Sequence, residues 1–188
     1  MGNTPLGRAA TYKDLRIVPD DMIAEILDGD LWATPRPAPR HSHAAAMLTA
    51  ELGPPFGQGR GGPGGWWLLF EPEIHREDDV LVPDLAGWRR ERLDKELERA
   101  FITLSPDWVC EILSPSTERI DRETKLRIYA REGVSHVWLV DPVARTLEAM
   151  RLVNGRWAAL PTLRDDDLAQ VEPFDTVPFP LTRIWIQR

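Results

Sequence analysis

A single glutamate stands inside the most apolar stretch of the chain, Asp107-Trp108-Val109-Cys110-Glu111-Ile112-Leu113, and it limits what the chain can fold into. Near-continuous apolar character over this length predicts a central strand covered on both faces. A carboxylate buried there is costly unless it meets a cation, a donor or a proton. The fold must therefore bring a polar partner to Glu111. A second acid, Asp84, follows Leu81-Val82-Pro83 under the same constraint. If the two strands are neighbours, both charges face one pocket. At ~4 Å they repel by roughly 4 kcal/mol at an effective dielectric of 20. A divalent ion removes that repulsion, and oxygen-only ligands favour Mg²⁺, with Mn²⁺ as a substitute, over zinc.

Simple geometry supplies a third member. Ser114-Pro115-Ser116-Thr117 carries capping hydroxyls and a proline beside a first turn, which predicts a helix running to about Glu132 and stopped by Gly133. From Glu111 to Ser116 the chain climbs ~16 Å at about 3.3 Å per residue. If the helix doubles back along the sheet, Ser116 to Lys125 descends ~14 Å at about 1.5 Å per residue. Lys125 therefore returns to the level of Glu111. Asp121, Lys125 and Tyr129 are spaced four apart and share one helix face. Glu25, inside Met22-Ile23-Ala24-Glu25-Ile26-Leu27, is a further candidate, although alternation alone could place it on a solvated strand face. Singly, Asp84 reads equally well as a hydrogen-bonded turn acid and Glu111 as half of an arginine ion pair. Two such acids with a lysine brought to their level favour a site.

The remaining chain predicts one mixed α/β (α+β) domain, a central sheet flanked by helices, with its core over about residues 11–160 of 188. Thr11 caps a short helix to about Val18. Asp28-Gly29 joins two strands, Met22–Leu27 and Asp30–Thr34, as a tight hairpin, and Asn154-Gly155 joins Thr146–Leu152 to Trp157–Leu160. Pro35 to Pro39 is a stiff loop before a helix over His41–Leu52. The run Gly57 to Gly65 is a loop; no Gly-Lys-Ser/Thr follows it, so it is not a phosphate-binding loop. Trp66–His75 and Val80–Trp88 read as two strands joined by an acidic turn, Leu93–Leu104 as a short helix and loop, and His136–Val140 as a strand. The tail from Pro161 carries no assignable pattern.

Composition excludes several classes. No apolar run spans a bilayer, and Met1 to Leu6 is neither a secretory nor a myristoylation signal, so a cytoplasmic protein is expected. One cysteine, Cys110, forms no internal disulfide and no cysteine zinc site, and its apolar neighbours predict a buried, inert thiol. The net charge of -7 opposes non-specific binding to nucleic acid without excluding a local basic stripe. The Arg- and Lys-rich stretches Trp88–Arg99 and Arg119–Arg131 are read as solvated faces of mixed charge.

Taken together, these runs resemble a known family. Val82-Pro83-Asp84, the run Glu111 to Thr117 (EILSPST), Asp121, Lys125, Tyr129 and the run Gly133 to Pro142 are similar to the Uma-type restriction endonuclease family of PD-(D/E)XK nucleases. Glu25 to Gly29 and His41 resemble its amino-terminal pattern, and the likeness covers roughly Thr11 to Leu160. The resemblance implies a restriction-endonuclease-like core and metal-dependent cleavage of DNA. Asp84 and Glu111, with Glu25, would hold Mg²⁺. Lys125 would act on the attacking water or the developing charge, and Asp121 and Tyr129 would position Lys125. Two residues after Glu111 stands Leu113, where the wider superfamily has lysine, so Lys125 must stand in. His41 is a candidate substrate contact; His43, His75 and His136 are structural or surface residues. Cutting both strands implies a homodimer. The competing expectation is a catalytically silent nuclease-fold module that binds nucleic acid or a protein partner.

Overall fold

The protein, analysed as a computed structural model, is described over residues 3–4, 8–93 and 97–187. Of the opening run Met1 to Leu6, only Asn3 and Thr4 fall among the described residues. Asp28-Gly29 turns the chain as its composition demands. Both residues take positive φ, 52° and 81°, the geometry that joins two strands without splaying them. The hairpin it makes is β2 (Met22–Leu27) against β3 (Asp30–Pro35), with β1 (Asn3–Thr4) on its outer edge. Thr11 caps α1 (Tyr12–Leu15), which ends three residues before the expected stop at Val18. Pro39, not His41, opens α2 (Pro39–Leu52), since proline fits a first helical turn without losing a hydrogen bond.

The two long strands expected over Trp66–His75 and Val80–Trp88 each break in the middle. They become β4 (Trp66–Phe70) and β5 (Ile74–Arg76), then β6 (Asp79–Leu81) and β7 (Leu85–Arg89). Pro72 and Pro83 sit at the breaks, where proline cannot donate to a ladder, and Glu71 takes a φ of 44°. Glu71 N–H donates to Asp84 O at 3.1 Å across the paired bends. One bent ribbon thus serves two sheets. Its first half, β4 with β7, joins the larger sheet, and its second half, β5 with β6, joins the smaller one. The short helix expected after Leu93 lies before it instead, as α3 (Arg90–Leu93); residues 94–96 of that stretch lie outside the described residues.

The smaller sheet has the order β1-β3-β2-β6-β5. In the larger sheet, β8 (Trp108–Ile112) is central and wholly buried, antiparallel to β7 and parallel to β9 (His136–Asp141). The helical crossover between β8 and β9 begins with a wide π turn, Ile120–Lys125, and continues as α4 (Leu126–Arg131), with Gly133 at φ 75° beyond it. Next follow β10 (Thr146–Val153) and β11 (Arg156–Ala159), turned through Asn154 and Gly155 at φ 49° and 74°. A short β12 (Leu163–Arg164) pairs with β10, while β13 (Leu168–Ala169) and β14 (Phe179–Pro180) pair with each other. The domain is therefore mixed α+β around a mixed sheet, as the element order predicts.

Strand alternation sorts the core into two layers. Leu85, Trp108, Cys110, Ile112, Trp138 and Val140 pack toward α2 and the C-terminal tail. Val109, Leu113, Val137 and Leu139 pack on the opposite side, against α4 and the smaller sheet. The unassigned tail is a structural layer: Phe174 lies 4.7–5.5 Å, ring to ring, from Phe56, Trp66, Trp108 and Trp138. The core thus reaches past residue 160. Among the described residues no helix is long and apolar enough to cross a membrane.

Candidate active site

Glu111 alternates with Val109 and Leu113, so it faces α4 and the smaller sheet. β7 and β8 are neighbours, with Leu85 opposite Cys110. Asp84 lies at the bend immediately before β7 rather than inside the expected strand, and it lines the same pocket as Glu111. Asp84 Oδ2 accepts the Ile112 N–H at 2.6 Å and lies 3.1 Å from His41 Nε2, on the first turn of α2. From the smaller sheet β2 delivers Glu25, whose Oε1 accepts the Val82 N–H at 2.8 Å.

The crossover helix returns Lys125 to this level. Its Nζ lies 3.0 Å from Glu25 Oε2, 3.3 Å from Glu111 Oε1 and 3.5 Å from Asp121 Oδ1. The Lys125 side chain is 7% exposed and that of Glu111 3%. Tyr129, one turn on, donates its hydroxyl to Glu111 Oε1 at 2.5 Å. The wide turn is closed by Leu126 N–H on Asp121 O, and it buries both Asp121 and Lys125. Such π turns concentrate where a helix must aim side chains at a site. The structure thus brings together Glu25, Asp84, Glu111, Asp121, Lys125, Tyr129 and His41. Glu25 faces the interior rather than solvent, and the cation on Glu111 is a lysine rather than an arginine.

The electrostatics follow from crowding acids around one ammonium. Burial, with the Asp121, Asp84 and Glu25 carboxylates, holds Glu111 well above the ordinary carboxylate range against the pull of Lys125. Burial likewise pushes Asp121 up to about 6, although Lys125 and a Thr117 hydrogen bond oppose it. Burial disfavours the Lys125 charge, but Glu111, Glu25, Asp121 and Asp84 outweigh it, and the ammonium is held well above its usual value. Burial also pulls His41 down, while Asp84 more than offsets it, leaving the imidazole raised. Burial, then the Asp84 charge, raises Glu71.

Glu25, His41, Asp84, Glu111, Asp121 and Lys125 line a pocket of about 290 Å³, together with the loop 35–38 and Ser114 to Thr117. Glu71 and Arg36 are not singled out by the sequence, and Thr117 is singled out there only as a capping hydroxyl. Arg36 sits 3.6 Å from Glu71, and its place in a proline-rich loop was the one available signal. The donor set suits a hard divalent cation. Asp84 takes its contacts on Oδ2 and Glu111 on Oε1, so each has a second oxygen to offer. Among the described residues no group of three or more His, Cys, Asp or Glu is placed to hold a metal ion. Mg²⁺ habitually takes one or two carboxylates and completes its shell with water and substrate oxygens, so the open arrangement fits it.

The other candidates behave as surface or structural groups. His75 pairs with Glu73 at 2.7 Å and His136 with Glu172 at 3.2 Å, while His43 is half-buried, away from the carboxylates. Arg122 binds Glu118 and Glu148, and Arg127 and Arg131 bind Asp28, so this basic stretch is a mixed-charge face. Cys110 is fully buried, and burial first, then Asp84 and Glu111, pushes its thiol well up.

A bent ribbon shared by two sheets brings acids from both to a helix-borne lysine. A crystal structure described as a "putative nuclease belonging to DUF820", from Anabaena variabilis ATCC 29413, has this fold at a TM-score of 0.71 and 19% identity, covering 94% of this chain and 97% of that one. The chain belongs to the Uma2 family, described as "Putative restriction endonuclease", whose model matches residues 9–180. No curated protein matches it.

Proposed function

We propose that the protein is a Mg²⁺-dependent endonuclease that hydrolyses DNA phosphodiester bonds. One observation carries the reading: Lys125 Nζ, set 3.0–3.5 Å from Glu25, Glu111 and Asp121, shares a pocket with Asp84 at the bend just before β7, the strand beside that of Glu111. Family membership and the shared fold support it.

Asp84 and Glu111 would hold the ion, with Glu25 beside them. When bound, Mg²⁺ acidifies a water and takes up charge on a phosphoryl oxygen. The residues of the chain do the rest. Glu25 and Asp121 hold the Lys125 ammonium in place. Its Nζ orients the attacking water and meets the negative charge that develops on the phosphoryl group. The Tyr129 hydroxyl fixes Glu111 Oε1. Water attacks phosphorus, the bridging oxygen leaves, and no covalent enzyme intermediate forms.

The test is cleavage of circular single-stranded and circular duplex DNA with Mg²⁺, comparing wild type with Asp84→Ala, Glu111→Ala and Lys125→Ala. Each variant should lose at least 100-fold in rate, on the order of one lost electrostatic donor. Undiminished cleavage by all three ends the proposal. Calorimetry with Mn²⁺ separates a silent module, which binds no metal.

A further inference from the structure

We propose that the strand cut here is single-stranded, with one unstacked nucleotide in the pocket and the next base on Tyr12. The inference rests on the nuclease reading above and names its substrate class.

The depth of the reacting groups is the first observation. The groups that must meet the phosphate lie at the floor of the pocket, with Lys125, Glu111 and Asp121 exposed by 7% or less. A volume of about 290 Å³ sits at the low end of the ~300–1,000 Å³ typical of small-ligand sites. One nucleotide fits such a space. A stacked duplex holds its phosphates on a stiff backbone, and enzymes that must reach an enclosed centre take the nucleotide out of the stack first. A single strand needs no such extrusion. The walls suit an unstacked nucleotide, because Ile23, Trp32, Val82 and Ile120 add apolar surface to the polar lining.

A second hollow lies next door and shares Ile23, Arg36 and Val82 with the pocket. Tyr12 lines it and is 44% exposed. The ring is preset from behind: His75 lies 5.1 Å from it and is itself stacked on Phe101 at 4.0 Å. An exposed, supported aromatic ring in the adjoining hollow is a stacking surface for a neighbouring base. Arg36 stands at the junction, where the linking phosphate would pass. Asp20, Glu71 and Glu73 outnumber Arg16 and Arg36 around this hollow, which favours an uncharged base over a phosphate there. Stacking also suits a chain of net charge -7, which has little to gain from tracking a duplex backbone.

The experiment uses the full chain with Mg²⁺ and one labelled oligonucleotide presented alone, in a blunt duplex, and as the single-stranded flap of a duplex. The single strand and the flap arm should be cut at least tenfold faster than the blunt duplex. Equal or faster cutting of the blunt duplex overturns the proposal. Tyr12→Ala should raise KM for the single strand about tenfold, the size of one lost base stack, and Tyr12→Phe should keep the wild-type KM. A Tyr12→Ala protein with wild-type KM removes Tyr12 from the site. Fluorescence anisotropy of the same oligonucleotides reads the preference without turnover. A wild type that cuts nothing yet prefers single strands refutes the nuclease reading and keeps the substrate class; one that neither cuts nor discriminates refutes both.

Discussion

His41 Nε2 lies 3.1 Å from Asp84 Oδ2, which ties the first turn of α2 to the bend where the ribbon leaves the larger sheet. The same oxygen takes the Ile112 N–H, so one hydrogen bond and one ion-pair contact fix that oxygen of the carboxylate. Partners that orient a metal-binding carboxylate typically change metal affinity by about 10–100-fold when removed. His41→Ala should weaken Mn²⁺ binding by that order in calorimetry, and His41→Gln, whose amide can still donate, should recover part of it. Unchanged affinity in His41→Ala would confine the imidazole to packing.

Lys125 is the cation on which three buried acids depend. Removing one partner of a buried ion pair costs about 3–5 kcal/mol, because charge is left behind without compensation. Lys125→Met should lose stability of that size in urea denaturation as well as activity. Adding Glu25→Gln should restore part of the stability and none of the activity. A Lys125→Met protein as stable as wild type would mean that the acids there are already protonated.

The Asp121 carboxyl gives a pH signature in metal-free protein. Burial pushes it from 3.8 up to about 6 in the folded chain, so the fold binds that proton more tightly than the unfolded chain does. The stabilisation is full below about pH 4 and is lost as pH rises through 6. In a chelating buffer, wild type should lose Tm relative to Asp121→Asn between pH 4 and 7. A wild type that gains on the variant over that interval contradicts the assignment.

Phe174 touches four aromatic rings from a tail that carries little regular structure. Phe174→Ala should cost about 3–5 kcal/mol in urea denaturation, as for other large core truncations. A loss below 1 kcal/mol would show that the tail only drapes over the sheet.

The sequence was readable where one local rule decided the outcome. Asp28-Gly29 and Asn154-Gly155 need positive φ at both turn residues, so their hairpins form where composition places them. Lys125 could be positioned from strand and helix rise alone, because the crossover doubles back without a long loop. Legibility failed where tertiary context chose. Pro72 and Pro83 could each have ended a strand or sat at an edge, and only the smaller sheet's demand for β5 and β6 turned them into paired bends. Glu25 was ambiguous because its neighbours suit either strand face until β6 and the crossover helix close over it. The tail was unreadable because aromatic packing, not periodicity, holds Phe174 and Trp185 in place.

Glu25 reaches the cluster on one sheet and Glu111 on the other. The constellation therefore belongs to neither layer and exists only while the two are docked. Undocking the small layer would scatter the charges while the seven-stranded layer still held its own core. Loss of turnover on gentle heating should then come before loss of bulk structure, which would make catalysis a sensitive gauge of how the halves of this molecule meet.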